Sequence, residues 1–563
     1  MGHHCRMHRE PRLRLFASML VWASGSVGVS APSASASAPL TAPRLPYTYL
    51  HHPVSTDVPA AQAAFDRGLT LVFAYASDEA ERSFREAARL DPSLAMAWWG
   101  IALALGPDIN TEPDARSTLA AADAMARAKL LAEKRATIEE REYIAALAAR
   151  YTSEPKPDFD KLAVAYREAM RTLTAAHPDD PDAAALYAEA IMDLHPWRMW
   201  TVDGEPLTVD TPELVALLER GLRRHPSHLG LLHYYIHAVE ASRDPGRALA
   251  AAHRLAALPM EPAAAHLVHM PAHIYLRIGD WSSAIDANEN SVCYALWYRL
   301  GSNPKSDRAC SHCEDFLSYA YMMDGDETHA RLSARDYQFL NHDPSNLIAT
   351  LVRFHAWDDL LAFPEPAPDL KLDARSVHAV RGLWHFGRGL AFVSKDRLDR
   401  AQEELSALES EAALLPVPSP YGTALDVEHA IDKLVQVGDS DSLKTSSAIL
   451  KACIAQARGA LDEAVGALRE AVRIQDATLY SEPPTWFYPV RESLGALLLK
   501  RGSSAEAEAT FRDGLERVPH DPRLLLGLAA ALRAQGKKTA ADQAQSEYRD
   551  TWRGTSVPTV TEF

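Results

Sequence analysis

Six histidines in the middle of this chain stand at spacings that a helix converts into ligand sets. His233 and His237 form an H-x3-H pair, so on a helix both imidazoles leave one face, a single turn apart. His266, His269 and His273 follow, and their offsets again place three rings on one face. His312 comes next, between Cys310 and Cys313. Neutral imidazole nitrogen is a ligand for zinc, copper, iron and nickel, and histidines one turn apart let a helix grip such an ion.

The set is rich in imidazole and poor in carboxylate, which narrows the chemistry. H-E-x-x-H is absent, so the general base of a zinc peptidase is missing. No Glu-x-x-His pair falls on these helices, which argues against a ferritin-like di-iron centre. Six histidines can be divided three and three between two copper ions, and copper tops the divalent affinity order. A single tetrahedral zinc with histidines to spare is the second choice. Glu240 follows His237 and Glu314 follows His312; both are candidates for carboxylate partners of the ligands or for catalytic acids. Two readings without metal stay open: a hydrogen-bonded histidine network specifying an inner wall, and a pocket that uses the imidazoles as donors to an organic ligand. Pro271 either kinks its helix or begins it, which would leave His266 and His269 on a loop. Cys310 and Cys313 are read as a disulfide pinning the His312 helix in preference to thiolate ligands.

A second unusual segment is Glu482-Pro-Pro-Thr-Trp-Phe-Tyr-Pro-Val-Arg491. Its prolines hold the chain extended, and Pro489 can begin a helix. Trp486 and Tyr488 are candidate walls of a substrate site, with Arg491 as an anion grip; Trp197, after His195-Pro196, is a further wall. The competing reading packs these aromatics onto the neighbouring repeat. P-loop, G-x-G-x-x-G, G-x-S-x-G and EF-hand patterns do not occur in their proper context, so kinase, dinucleotide-dependent dehydrogenase and serine hydrolase readings have no support.

The elements that must position these residues are helices in pairs. Phe65, Gly68, Leu69 and Phe73 share one helical face, and Ala80, Phe84 and Ala87 share the next; Asp91-Pro92 closes the pair. A-x3-F-x2-A followed by Asp-Pro resembles the second half of a tetratricopeptide repeat (TPR), in which small residues let two helices approach closely. Gly279, Gly325, Gly459, Gly502 and Gly536 punctuate further hairpins. The interval from Gly502 to Gly536 matches the repeat's period of about 34 residues, whereas Gly459 to Gly502 is longer. The predicted fold is all-α: an α-solenoid, a TPR-like superhelix of antiparallel hairpins whose first helices line a concave face. The histidine segments would be first helices of successive repeats, converging there.

Length and composition fit this picture. The chain has 563 residues, 47% apolar and 24% charged, with a formal net charge of −17. That is the profile of a folded chain, and the acidic balance argues against a nucleic-acid binder, which would use a basic surface. Residues 1–38 read as a signal peptide: Arg6, Arg9, Arg12 and Arg14 precede a modest apolar stretch and a Ser-Ala run. Residues 39–50 read as a linker, 51–362 as an N-terminal array carrying the histidines, 363–375 as a Pro-rich loop, 376–552 as a C-terminal array and 553–563 as a tail. No later apolar run is long enough to span a membrane. The expected setting is periplasmic or extracellular.

Four blocks carry a family resemblance: Phe65–Gly100, Leu232–Glu240, His266–Tyr275 and Glu482–Arg491. With them the chain resembles a group of exported bacterial TPR-containing proteins with HxxxH and HxxHMPxH blocks. The resemblance covers nearly the whole chain after the leader and implies the fold and export, but no catalytic role. It departs at Cys313, where members tend to carry Asn after the histidine. The leading expectation is an exported metalloprotein, a copper-dependent oxidoreductase acting on a small molecule in the groove. Its rivals are a scaffold binding a peptide or protein partner in the groove and a zinc-dependent hydrolase.

Overall fold

The computed structural model describes residues 47–301, 307–367, 370–415 and 429–555. The signal peptide expected at 1–38, most of the 39–50 linker and the end of the 553–563 tail lie outside the described residues, as does the side chain of Cys310. Among the described residues the regular elements are helices, with two isolated bridges and no strand. None of these helices is long and apolar enough to cross a membrane.

The hairpin grammar has a visible physical cause at the N-terminus. Helices Pro59–Val72, Ser77–Leu90 and Ala95–Ala104 pack in series. Phe84, fully buried, fills a socket between the first and third. Gly68 and Gly100 form its walls; a Cβ at Gly100 would lie 2.3 Å from the Phe84 ring. The device recurs near the C-terminus, where Phe511 sits between Gly495 and Gly527. Each phenylalanine lies midway in sequence between its two glycines. Side chains also fix helix starts. Asp180 and Asp521, each just ahead of a proline, accept from backbone N–H groups beyond it, those of Asp182 and Ala183 and of Leu524, and Thr137 forms a capping box with Glu140.

Inner and outer helices differ in burial. Ser77–Leu90 buries one stripe only, whereas Leu229–Val239 is buried on all sides, as a helix in the middle of a layered stack must be. The second histidine helix settles the question posed by Pro271. Ala265–His269 runs into Pro271–Arg277 through Met270, whose backbone is itself helical, so all three histidines lie on helix and the proline marks a break within it.

The far end of the chain folds back on the middle. The Arg353 guanidinium meets the Glu492 carboxylate through two hydrogen bonds, 2.6 and 3.1 Å, both side chains essentially inaccessible. Arg523 donates to the Arg353 carbonyl, Trp281 to that of His520, and the Arg553 N–H to that of Asp324. Gly279 has φ +74°, and a Cβ there would collide with the Pro519 carbonyl. The C-terminal helices thus pack against the middle of the array.

Candidate metal centre

The three histidine helices bring all six imidazoles together in two groups of three. His233, His237 and His266 form one; His269, His273 and His312 form the other. Within each group one nitrogen per ring lies within 4.8 Å of the others. The groups abut, with 5.5 Å between the ring centroids of His237 and His273 and 5.9 Å between those of His266 and His269. His233, His237, His269 and His273 are at most 1% exposed.

Oxygen acceptors fix four of the rings. His233 Nδ1 donates to the Phe73 carbonyl at 2.7 Å. His237 Nδ1 donates to Glu240 Oε1 at 2.8 Å, and His273 Nδ1 donates to Glu240 Oε2. His269 Nδ1 donates to Asn288 Oδ1 at 2.6 Å. The Asn288 amide cannot be turned round, because its NH2 is used on the Ala284 carbonyl. With Nδ1 carrying the hydrogen, each ring presents Nε2 to its neighbours. His269 Nε2 then faces His273 Nε2 at 2.9 Å, and His233 Nε2 faces His266 Nε2 at 3.1 Å. His237 Nε2 is buried with no partner.

Electrostatics keep most of the rings neutral. Burial, then the neighbouring imidazoles, holds His233, His266 and His269 well below the ordinary histidine range. Burial lowers His237 and takes His312 down to about 3. His273 is the exception: burial acts to lower it, but the Glu240 carboxylate outweighs that and raises it. Burial alone would raise Glu240; the charges of His273 and His237 and their hydrogen bonds bring it to about 2.

The donor chemistry fits a metal ion. Two facing Nε2 lone pairs repel unless a proton or a metal ion stands between them, and each group offers three imidazoles without a carboxylate among them. Glu240 links one histidine of each group, the carboxylate–histidine arrangement that orients metal ligands and strengthens them as bases. Phe316 seals the second group, its ring 4.5–4.9 Å from those of His269, His273 and His312.

The remaining sequence candidates are placed as follows. Trp197 stands edge-on to His237, ring centroids 5.5 Å apart. Glu314 is buried, two residues beyond His312 and hence on a different face of its helix. Trp486 packs on Phe386, Phe487 and Tyr488. Trp486, Tyr488 and Arg491 line a cleft of about 570 Å³ in which no histidine takes part. Arg491 is not poised to grip an anion, because its guanidinium is held bidentately by Asp476 and again by Asp513. Cys313 donates to Ser291 Oγ at 3.2 Å. His51, His52 and His195 hydrogen-bond carboxylates elsewhere.

Sequence reasoning missed several members of the site. Tyr75 stacks on His237 and His266 and stands edge-on to His233. It lies in an inter-helix turn with φ +52°, and nothing in its neighbourhood of the sequence marks it. Tyr480 donates to Glu482 at 2.5 Å and to Glu240 at 3.3 Å, bringing the Glu482 segment to the histidines through a residue just outside the block that drew attention. Phe316, one turn after His312, could have been found from its i+4 spacing.

No family model matches this chain. A protein of Aquifex aeolicus (strain VF5), described as an uncharacterized protein, is 44% identical over 55 residues, 10% of this chain. The match spans 7% of that relative's length. Solved structures of similar outline include a human IFIT1 dimer with PPP-AAAA, at 13% identity and TM-score 0.31, covering 88% of this chain and 95% of that one. Yeast Tom70 gives 11% identity and TM-score 0.31, covering 88% and 92%. The Cut9–Hcn1 assembly gives 11% and 0.25, covering 75% and 95%. Likenesses this distant carry no argument; the hairpin architecture rests on the helices described above.

Proposed function

We propose that the protein is a metalloprotein whose six histidines hold two late first-row transition ions, copper by preference, in adjacent three-imidazole sites. The observation that carries this reading is the pair of Nε2···Nε2 contacts, backed by the buried, unpartnered Nε2 of His237. A proton on His273 relieves one contact, and a proton on His266 Nε2 can relieve the other, but neither satisfies His237; an ion in each group satisfies all of them. Copper suits an all-imidazole set and would supply one-electron redox chemistry. The chain's own part is to hold the rings: Phe73, Glu240 and Asn288 fix Nδ1, while Phe316, Tyr75 and Trp197 exclude water. An oxidoreductase acting on a small molecule, in an exported setting consistent with the basic and apolar leader, is the function this supports best.

Elemental analysis of protein produced in copper- and zinc-replete medium tests it. About two ions per chain are expected, with copper over zinc, and the His233→Ala/His269→Ala variant should lose them while keeping its far-ultraviolet circular dichroism. Metal-free protein whose melting temperature copper does not raise would leave a hydrogen-bonded histidine wall in a helical scaffold.

A further inference from the structure

Tyr480 stands between two carboxylates and has one proton to give. Its hydroxyl lies 2.5 Å from Glu482 Oε1 and 3.3 Å from Glu240 Oε2. A phenol donates a single hydrogen bond, so the two carboxylates compete for it, and the shorter contact assigns it to Glu482. The ring is held in place between them. The Arg277 guanidinium lies over it, 5.4 Å from the centroid, and is itself fixed by donating from Nε to the Glu240 carbonyl at 3.0 Å. The other Glu482 oxygen, Oε2, is buried without a partner.

The oxygen that Tyr480 approaches on Glu240 is the one that accepts from His273 Nδ1, whereas His237 uses Oε1. A hydroxyl turned to Oε2 divides that oxygen's charge between two donors, and its hold on His273 weakens while its hold on His237 is spared. A hydrogen bond to a carboxylate is about twice as strong as one between neutral groups. The hydroxyl therefore stays with Glu482 only while Glu482 is charged. Once Glu482 is neutral, Glu240 is the stronger acceptor and is already within reach. Glu482 lines the 570 Å³ cleft together with Tyr480, Arg277 and Tyr319, so it stands between that cleft and the second histidine group. Burial, the largest influence on its carboxyl, pushes it up to about 7; Glu240 acts the same way, and His273, Arg277 and the Tyr480 hydrogen bond act against it.

We propose that Tyr480 is a positioning residue whose single proton links the 570 Å³ cleft to the metal centre. Held by a charged Glu482, it leaves Glu240 free to orient His273. Released by a neutral Glu482, it turns to Glu240 and slackens the group of His269, His273 and His312. The hydrogen-bond switch stands on its own geometry; its effect on a bound ion rests on the metal-centre reading. Because His237 hangs on the other oxygen, the control acts on one group of the two.

A rescue experiment tests it at about pH 8, above the value of about 7 to which burial pushes Glu482, so that its carboxyl is charged. Competition of the full chain with a chromophoric chelator would give copper affinity. The nuclear magnetic resonance signal of the His273 Nδ1 proton, in metal-free protein isotopically labelled at histidine, would report the hydrogen bond itself. Glu482→Gln should weaken binding of one ion by at least about threefold, a part of the 10–100-fold that outright loss of a ligand's carboxylate partner brings. It should also move the His273 signal upfield and leave that of His237 in place. Tyr480→Phe, which ends the competition for Glu240, should bind copper at least as tightly as the natural chain. Combined with Glu482→Gln it should restore both readouts, whereas a charge acting through space from Glu482 predicts no rescue. Glu482→Asp keeps the charge but draws it back from Tyr480; it should show the same loss and the same rescue, and it serves if the glutamine variant does not fold. A His273 signal indifferent to Glu482, or a loss that Tyr480→Phe does not reverse, would overturn the proposal. A chain that binds no copper yet shows the shift and its reversal sinks the metal centre and keeps the switch. A chain that binds copper and shows neither sinks the switch alone.

Discussion

Glu240 is the residue on which both histidine groups depend. It is 1% exposed, yet its two oxygens accept from His237 and His273, and the Tyr480 hydroxyl reaches it as well. A glutamine there keeps one acceptor but turns an NH2 toward the second imidazole N–H, so one ring loses its orientation. Glu240→Gln should therefore weaken metal binding by about 10–100-fold, the usual effect of losing a ligand's carboxylate partner. Competition against a chromophoric chelator would measure it. A melting temperature that falls while affinity stays constant would instead assign Glu240 to folding alone. Sequence spacing named Glu240, because it follows His237 by nearly one helical turn; its second partner, His273, comes from another helix and could not be read.

Among elements, the recurring contact is a phenylalanine of one helix lodged between glycines of its two neighbours. Ala at position 100 would press on the Phe84 ring, which is fully buried and has nowhere to move. Gly100→Ala should cost about 1–3 kcal/mol, the range for overpacking a tight core. Gly466 makes the opposite case: it lies inside the exposed face of Leu461–Ala477 with nothing near its would-be Cβ. Gly466→Ala should stabilise by about 0.5–1 kcal/mol through helix propensity. Urea unfolding of the two variants would check the opposite signs. The sequence carried the A-x3-F-x2-A pattern and the turn glycines, and Gly279, Gly325, Gly459, Gly502 and Gly536 all adopt positive φ.

For the whole molecule, the governing feature is the return of the C-terminal helices onto the middle of the array. Arg353 and Glu492 form its buried ionic contact. Removing one partner strands a charge out of water, so Glu492→Ala should cost about 3–5 kcal/mol, whereas Arg353→Met with Glu492→Leu should recover most of it. Denaturant midpoints of the single and double variants would decide. A double variant no better than the single would mean that the pair specifies this closure as well as neutralising charge. Closure also brings Tyr480 to Glu240, so a destabilised return should loosen the histidine site from a distance.

What the chain dictated locally was legible beforehand: helical periods, hairpin stops, and the histidines that share a face. These follow from geometry within one or two turns of backbone, where spacing alone sets direction. The rotation and depth at which separate helices meet are settled by packing between residues far apart in the chain. Hence only the tertiary structure decided that the six rings divide three and three, that Phe73 and Asn288 fix the tautomers of His233 and His269, and that Tyr75 stacks on the first group. For the same reason the fate of Arg491 was invisible, since Asp513 reaches it from the next helix. The return of the later helices onto the middle of the array is settled in the same way, by contacts between residues far apart in the chain.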